Sequence, residues 1–262
     1  MATLKTLLGL GRHPKWNVAD HITEPSPGVF FVEGPASNWV IVTDAGGYLL
    51  VDGGYPKDVD HVLASLRHLA LAPAAAKAML ITHGHSDHTG SAGFFSRTFG
   101  TPVYCSTEEV SQLTGQVKHQ VTLPVVLARI RDSKVGRWMV HAILAGGLKT
   151  NDVQAVRTFD EETLRSLPGA PVAVPLPGHT PGHTAYLFPA AAAIATGDAL
   201  VTGHAISDHT GPQLLDPMFH HRVSEVLDSL EVLAGVTASI VLPGHGPVVR
   251  GAMADIVSAA RG

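Results

Sequence analysis

Apolar residues recur along this chain at two spacings, which predict strands and helices in mixed order. Short apolar runs typical of buried strands alternate with stretches whose apolar residues return every three or four positions, the period of a half-buried helix. The strands are predicted at 29–32, 38–43, 48–51, 78–81, 103–105, 154–159, 172–174, 184–188, 193–196 and 239–242, and the helices at 59–71, 93–99, 222–233 and 252–260. Residues 1–28 contain Pro14, Pro25 and Pro27 and are predicted to be irregular.

The order of these elements gives the chain two halves of similar layout, each a run of strands followed by helices. This order favours helices packed on β-sheets. With 262 residues, of which 45% are hydrophobic, the chain can form one large core. We therefore predict a single domain over residues 1–262 that mixes α and β structure.

Residues 107–150 differ from the rest and are predicted to form a helical insert. Their apolar spacing indicates two or three helices, broken near Leu123-Pro124 and near 133–136. Two roles stay open for the insert. It is either an amphipathic cover over part of the core or a lid that lines a substrate pocket with Trp138, Met139 and Leu144.

Composition narrows the classes of function. The formal net charge is -4, whereas a nucleic-acid surface usually needs a basic excess, so no nucleic-acid partner is expected. No apolar run reaches the roughly 18 residues of a membrane span, and the apolar patch at 1–10 is too short for a signal peptide. Cys105 is the single cysteine, which excludes a thiolate-rich metal site and agrees with a cytoplasmic protein. We expect a small-molecule substrate and leave homo-oligomerisation open.

Four side chains that bind metals occur within six residues after the predicted strand 78–81. The segment reads His83-Gly84-His85-Ser86-Asp87-His88. Imidazole is the commonest side-chain ligand for transition metals, and carboxylate complements it. The alternative is a His-rich surface turn that binds nothing, so a metal site requires further ligands elsewhere in the chain.

Further candidates stand at the ends of later predicted strands. His179 follows the strand 172–174, Asp198 follows 193–196, and His245 follows 239–242. Glycines and prolines surround all three, so the turns can be tight and stiff, as a preorganised site requires.

The combined pattern resembles the metallo-β-lactamase fold superfamily of hydrolases. The residues that carry the resemblance are His83-x-His85-x-Asp87-His88, His179, Asp198 and His245, preceded by Asp52 in Val51-Asp52-Gly53-Gly54. It implies an αββα sandwich, in which two mixed β-sheets lie face to face with helices outside and metals at one edge.

The resemblance also implies two divalent metal ions. His83, His85 and His179 would bind one metal, Asp87, His88 and His245 the other, and Asp198 would bridge them. Asp52 would hold the His-rich loop. The nitrogen and oxygen ligands favour zinc, with iron and manganese as alternatives. A hydroxide between the metals would attack the substrate, and Asp87 is expected to orient it or to relay a proton.

Departures from related enzymes point to a carbonyl ester, lactone or thioester as substrate. True β-lactamases of this fold typically lack the bridging aspartate that Asp198 supplies. Only 246–262 follow His245, so we expect no glutathione-binding domain of the glyoxalase II kind. Lactonases share the ligand set but use a tyrosine near the metals, and no tyrosine follows Tyr186. The alternatives are a phosphodiesterase of the same fold and, of another class, a non-hydrolytic di-iron redox protein or an inactive binding module.

Histidines near the later ligands are the candidates for substrate contact. We expect His204 or His209 to line the pocket together with Trp138. His183 is either a support for the metal site or a structural histidine, and His220 receives no role.

Overall fold

The computed structural model describes residues 16–149 and 153–261. The prediction about a signal peptide at 1–10 lies outside the described residues. In the described part of the chain, no helix is long and apolar enough to cross a bilayer.

Two mixed β-sheets form the centre of the molecule. The first contains β1 (Ile22–Ser26), β2 (Val29–Val32), β3 (Trp39–Asp44), β4 (Gly47–Val51), β5 (Ala76–Leu80), β6 (Val103–Cys105) and β7 (Val156–Thr158). These strands lie in chain order, antiparallel from β1 to β4 and parallel from β4 to β7.

The second sheet is smaller and is built from the later half of the chain. It contains β8 (Val172–Pro175), β9 (Thr184–Phe188), β10 (Ala193–Gly197), β11 (Ile240–Pro243) and β12 (Val249–Arg250). The spatial order is β12-β11-β10-β9-β8, and β10 and β11 are its parallel pair.

Helices cover the outer faces of both sheets. The helices are α1 (Val59–His68), α2 (Ser86–Thr89), α3 (Ala92–Phe99), α4 (Val110–Leu113), α5 (Leu123–Ala128), α6 (Ser133–Ala145), α7 (Glu161–Arg165), α8 (Val223–Ala234) and α9 (Met253–Ala260). On the first sheet, α1 and α3 bury Leu66 and Phe95; on the second, α8 and α9 bury Leu230 and Ile256. Each such side chain stabilises the fold by roughly 1.5–3 kcal/mol.

A third core lies between the two sheets and joins them. It packs Phe31 and Leu80 of the first sheet with Tyr186 and Leu242 of the second, all buried. The layers therefore run helix, sheet, sheet, helix, which confirms the predicted αββα sandwich.

One prediction about local structure was wrong, and one about the helical insert is confirmed. The irregular N-terminal region contains β1, and Pro25 is tolerated there because β1 is an edge strand that needs fewer ladder hydrogen bonds. The insert contains the three helices α4, α5 and α6, and the predicted breaks lie at the starts of α5 and α6. Pro124 stands in the first turn of α5, where its missing N–H costs nothing. Asp132 caps α6 by accepting the N–H of Lys134 at 2.8 Å.

The chain direction brings the candidate ligands to one edge of the sandwich. β4 and β5 run parallel in one sheet, and β10 and β11 run parallel in the other. Asp52, His83, Asp198 and His245 each stand just beyond the carboxyl end of one of these strands. The fold thus collects side chains that are far apart in sequence.

Candidate metal centre

The seven side chains predicted as ligands form two adjacent groups. Within each group, one ligand atom per residue lies within 4.8 Å of the others. The first group is His83, His85, His179 and Asp198, and the second is Asp87, His88 and His245. All are buried except Asp87, which is half-buried.

Asp198 stands between the groups. Its Oδ1 lies 3.3 Å from Nε2 of His88, and its Oδ2 lies 3.4 Å from Nε2 of His179 and 3.4 Å from Nε2 of His245. One carboxylate therefore faces members of both groups, which is the arrangement that a bridging ligand requires.

In each histidine of the second group, Nδ1 makes a hydrogen bond to a neighbouring part of the protein, and Nε2 faces Asp198. His88 donates from Nδ1 to Oδ2 of Asp52 at 2.9 Å, and His245 donates from Nδ1 to the carbonyl of Ala36 at 2.8 Å. Carboxylates and carbonyls only accept, so in the neutral form of each imidazole the proton stays on Nδ1. Both Nε2 atoms are left as ligands.

Asp52 holds the start of the His-rich loop. Its carboxylate accepts the backbone N–H and the hydroxyl of Thr82, each at 2.8 Å, in addition to His88. The Thr82 oxygen in turn lies 3.0 Å from Nδ1 of His83. Asp52 adopts φ of 59°, a left-handed conformation that is uncommon outside glycine and often marks functional sites. This geometry suits a supporting residue.

Unsatisfied buried atoms indicate that a cation fits the centre. Among the described residues, Nε2 of His83, Nε2 of His88 and Oδ1 of Asp198 are buried without a hydrogen-bond partner. Such groups normally have a partner, because an orphaned buried polar atom costs about 1–3 kcal/mol. All three are lone-pair donors aimed at one space, so the donor set fits divalent metals.

The pKa values of the histidines are shifted in opposite directions in the two groups. Burial, followed by neighbouring histidines, lowers the pKa of His83 and of His179 well below the usual value, so both imidazoles are neutral. In the second group burial also opposes charge, but Asp198 and other carboxylates outweigh it. They raise the pKa of His88 well above its usual value and that of His245 to about 10.

Glu109 supports the ligand loops and Tyr55 lies near the carboxylates of the centre, although the sequence singled out neither residue. Glu109 is buried, and its carboxylate accepts the N–H of Gly84 at 2.7 Å and that of Gly182 at 2.9 Å. Tyr55 is buried, and its pKa is raised well above its usual value by burial and then by Asp87 and other carboxylates. No local motif distinguishes Glu109, because its partners come from other parts of the chain.

His183 supports the bridging aspartate. Its Nε2 accepts the backbone N–H of Asp198 at 3.1 Å, and its ring stacks on that of His83 with centroids 5.1 Å apart. Of the two roles left open for His183, the contact to Asp198 favours support of the metal site.

Only some of the side chains predicted to line the pocket lie near the centre. The ring of His204 lies 5.0 Å from that of His245, and the ring of Trp138 lies 6.3 Å from that of His204, so His204 adjoins the centre and Trp138 stands behind it. His209 is exposed, and its backbone N–H bonds to Ser207 of its own loop. Leu144 is also exposed, which removes it from the expected lining of the pocket.

Comparisons with known proteins agree with this geometry. The family model for the metallo-beta-lactamase superfamily matches residues 32–245. The probable metallo-hydrolase YybB of Bacillus subtilis is 26% identical over 212 residues, 81% of each chain. Hydroxyacylglutathione hydrolase GloC of Haemophilus influenzae is 29% identical over 130 residues, 48% of this chain and 51% of that protein.

Solved structures share the fold at low identity. A metallo-beta-lactamase family protein from Thermus thermophilus matches with a TM-score of 0.64 and 21% identity, covering 89% of this chain and 78% of that one. MEM-A1, a subclass B3 metallo-beta-lactamase from a soil metagenome library, matches with a TM-score of 0.65 and 16% identity, covering 92% of each chain. These matches concern the fold alone.

Proposed function

Since this chain belongs to the metallo-β-lactamase superfamily, we propose that it is a dinuclear metal-dependent hydrolase of a carbonyl ester, lactone or thioester. Membership of the family and the probable metallo-hydrolases among its relatives make it a metal-dependent hydrolase. The number of metals, the bond that is cleaved and the residue roles below are our proposal.

The position of Asp198 is the observation that carries the dinuclear proposal. Its two oxygens face His88 on one side and His179 on the other, so one carboxylate is shared by both ligand groups. The first metal would be held by His83, His85 and His179, the second by Asp87, His88 and His245, with Asp198 between them. When bound, a pair of divalent metals supplies an acidified water and a Lewis acid for the scissile carbonyl.

Of the two carboxylates among the proposed ligands, Asp87 is the better placed to accept a hydrogen bond from the attacking water. Its side chain is 15% exposed, whereas that of Asp198 is 3% exposed. Burial opposes its charge, but His88 and His245 outweigh burial and lower the pKa of Asp87 to about 2. The carboxylate is therefore ionised at neutral pH and can accept a hydrogen bond from the attacking water.

An aromatic wall beside the centre supports a partly apolar substrate. The rings of Trp138 and Phe219 lie 5.1 Å apart, and Phe219 lies 5.1 Å from His204. Burial lowers the pKa of His204 to about 4, so this imidazole is neutral and adds no charge to the wall. Because Trp138 belongs to α6, the contact favours a lid over a structural cover for the insert.

The similarity to a hydroxyacylglutathione hydrolase supports an acyl substrate. We propose zinc as the metal, with iron and manganese as alternatives, because the donors are imidazole and carboxylate. The substrate is a small molecule, and the cytoplasm is the proposed location. Exposed apolar side chains in the insert, such as Leu123 and Leu148, would suit contact between copies of the chain.

Metal analysis combined with a hydrolysis panel tests the proposal. The panel contains thioesters, lactones, aryl esters and bis-nitrophenyl phosphate. We expect two metal equivalents per chain, cleavage of carbonyl substrates in preference to the phosphodiester, loss of cleavage on chelation and recovery with zinc. Preference for the phosphodiester would select the phosphodiesterase alternative. Full metal content without any hydrolysis would favour a redox or binding role, and full activity with one metal would refute the dinuclear centre.

A further inference from the structure

Three imidazoles form a row that passes through the first ligand group. Nδ1 of His220 lies 3.2 Å from Nδ1 of His179, and Nε2 of His179 lies 2.9 Å from Nδ1 of His85. At each end of the row, an imidazole nitrogen lies within hydrogen-bond distance of a backbone carbonyl oxygen. Nε2 of His220 lies 3.1 Å from the oxygen of Leu215, and Nε2 of His85 lies 2.5 Å from the oxygen of His119.

The proton positions in this row follow from its ends. A carbonyl oxygen only accepts, so His220 and His85 must each carry a proton on Nε2. Neutral His220 then has a bare Nδ1, which can only accept. His179 must therefore donate from Nδ1, and its Nε2 is left bare.

For the remaining contact in the row, between His179 and His85, neither nitrogen carries a proton to donate. The bare Nε2 of His179 faces the bare Nδ1 of His85 at 2.9 Å, an arrangement of two lone pairs that is repulsive unless a cation lies between them. Both atoms belong to the first ligand group. The row thus orients two lone pairs toward the same space, where a metal ion would be held.

We propose that His220 is a positioning residue that fixes the tautomer of His179 and aims its Nε2 at the metal, an inference that rests on the proposed function. His220 does not touch the ion. Its effect passes through the hydrogen bond to His179, as partners of metal-bound histidines usually act.

The loop that carries His220 is itself held in place. His220 follows the single helical turn Pro217–Phe219, and its backbone N–H donates to the carbonyl of Pro217 at 3.2 Å. Asp216, which caps this turn through Met218, also accepts a 2.6 Å hydrogen bond from Arg129 of the insert. The imidazole of His220 is thus presented to His179 in a preset orientation rather than on a free loop.

Three variants test the role of His220. His220→Ala removes the acceptor, His220→Asn keeps an acceptor at the position of Nδ1, and His221→Ala removes the adjacent exposed imidazole as a matched control. Zinc affinity is measured by competition with a chromophoric chelator. We expect His220→Ala to lose about 10–100-fold in zinc affinity, His220→Asn to recover most of that loss, and His221→Ala to match the unsubstituted chain.

Nitrogen-15 spectra of the imidazoles provide a second readout that does not depend on activity. In the unsubstituted chain, with zinc and after chelation, His179 should carry its proton on Nδ1. A bare Nδ1 on His179, or equal zinc affinity in His220→Ala and His221→Ala, would overturn the inference. If the unsubstituted chain binds no zinc, the proposed function fails, and the tautomer of His179 in the same sample still decides the role of His220.

Discussion

The buried carboxylate of Glu109 accepts the backbone N–H of Gly84 at 2.7 Å, which ties the residue before α4 to the middle of the His-rich loop. Its second oxygen accepts the N–H of Gly182 at 2.9 Å, in the loop that follows β8. One side chain therefore joins a ligand loop of the first sheet to a ligand loop of the second. We infer that Glu109 keeps His83, His85 and His179 in register with one another.

Glu109→Ala should destabilise the fold and weaken metal binding together. The substitution leaves two buried N–H groups without an acceptor, at about 1–3 kcal/mol each, so we expect a loss of roughly 2–6 kcal/mol in the free energy of unfolding. Chemical denaturation measures it, and metal content is assayed on the same sample. Glu108→Ala, an exposed neighbour, is the control. A loss of stability as small as that of Glu108→Ala would show that the two hydrogen bonds of Glu109 contribute little.

Asp198→Asn should release at least one metal. The amide keeps the shape of the side chain but loses the charge that both ligand groups share. Inductively coupled plasma mass spectrometry after dialysis gives the metal content, and Asp228→Asn on the exposed side of α8 serves as control. Retention of two metals with full activity would rule out a bridging role.

Trp138→Ala should impair bulky apolar substrates more than small ones. The indole packs against Phe219 and near His204, so its removal opens the wall beside His245. We expect kcat/KM for a long-chain ester to fall about 10-fold more than that for an acetyl ester, from the loss of roughly 1.4 kcal/mol of apolar contact. Leu144→Ala, at an exposed position of the same helix, should not discriminate. Equal losses for both esters would contradict a lid.

Metal binding at pH 7 should release about two protons, since His88 and His245 must both become neutral to act as ligands. Burial disfavours their charged forms, but Asp198 and its neighbours raise the pKa of His245 to about 10 and that of His88 well above its usual value. Apparent zinc affinity should therefore rise with pH from 7 toward 10, as protons compete less. Asp87, with its pKa lowered to about 2, stays ionised and contributes no proton.

Calorimetry in two buffers with different ionisation enthalpies counts these protons. The dependence of the observed enthalpy on buffer ionisation should have a slope near two at pH 7 and a smaller slope above pH 10. A slope near zero at pH 7, with affinity independent of pH, would show that both imidazoles are already neutral.

Sequence patterns were sufficient to locate the candidate ligands because each one stands in a short motif near a strand end. His83 follows a buried apolar run, and Gly244-His245 follows another, so local spacing predicted where the chain delivers them. The αββα layering followed from the family resemblance, and the structure confirms it. The edge strand β1 escaped prediction because its sequence, Ile-Thr-Glu-Pro-Ser, is largely polar and contains a proline, both atypical of strands.

The supporting residues could not be predicted, because their meaning depends on partners far along the chain. Glu109 lies 73 residues from Gly182, and His220 lies 41 residues from His179. Neither has a distinctive local spacing. Of the alternatives His204 and His209, only His204 lies beside His245, whereas the side chain of His209 is exposed.

The contact between the insert and His85 is made by a main-chain atom, the carbonyl of His119. A backbone carbonyl persists under almost any side-chain substitution at that position. The side chain at position 119 can therefore change without loss of the hydrogen bond that orients His85. Glu109 of the same insert has no such freedom, because its contacts to Gly84 and Gly182 are made by its side chain.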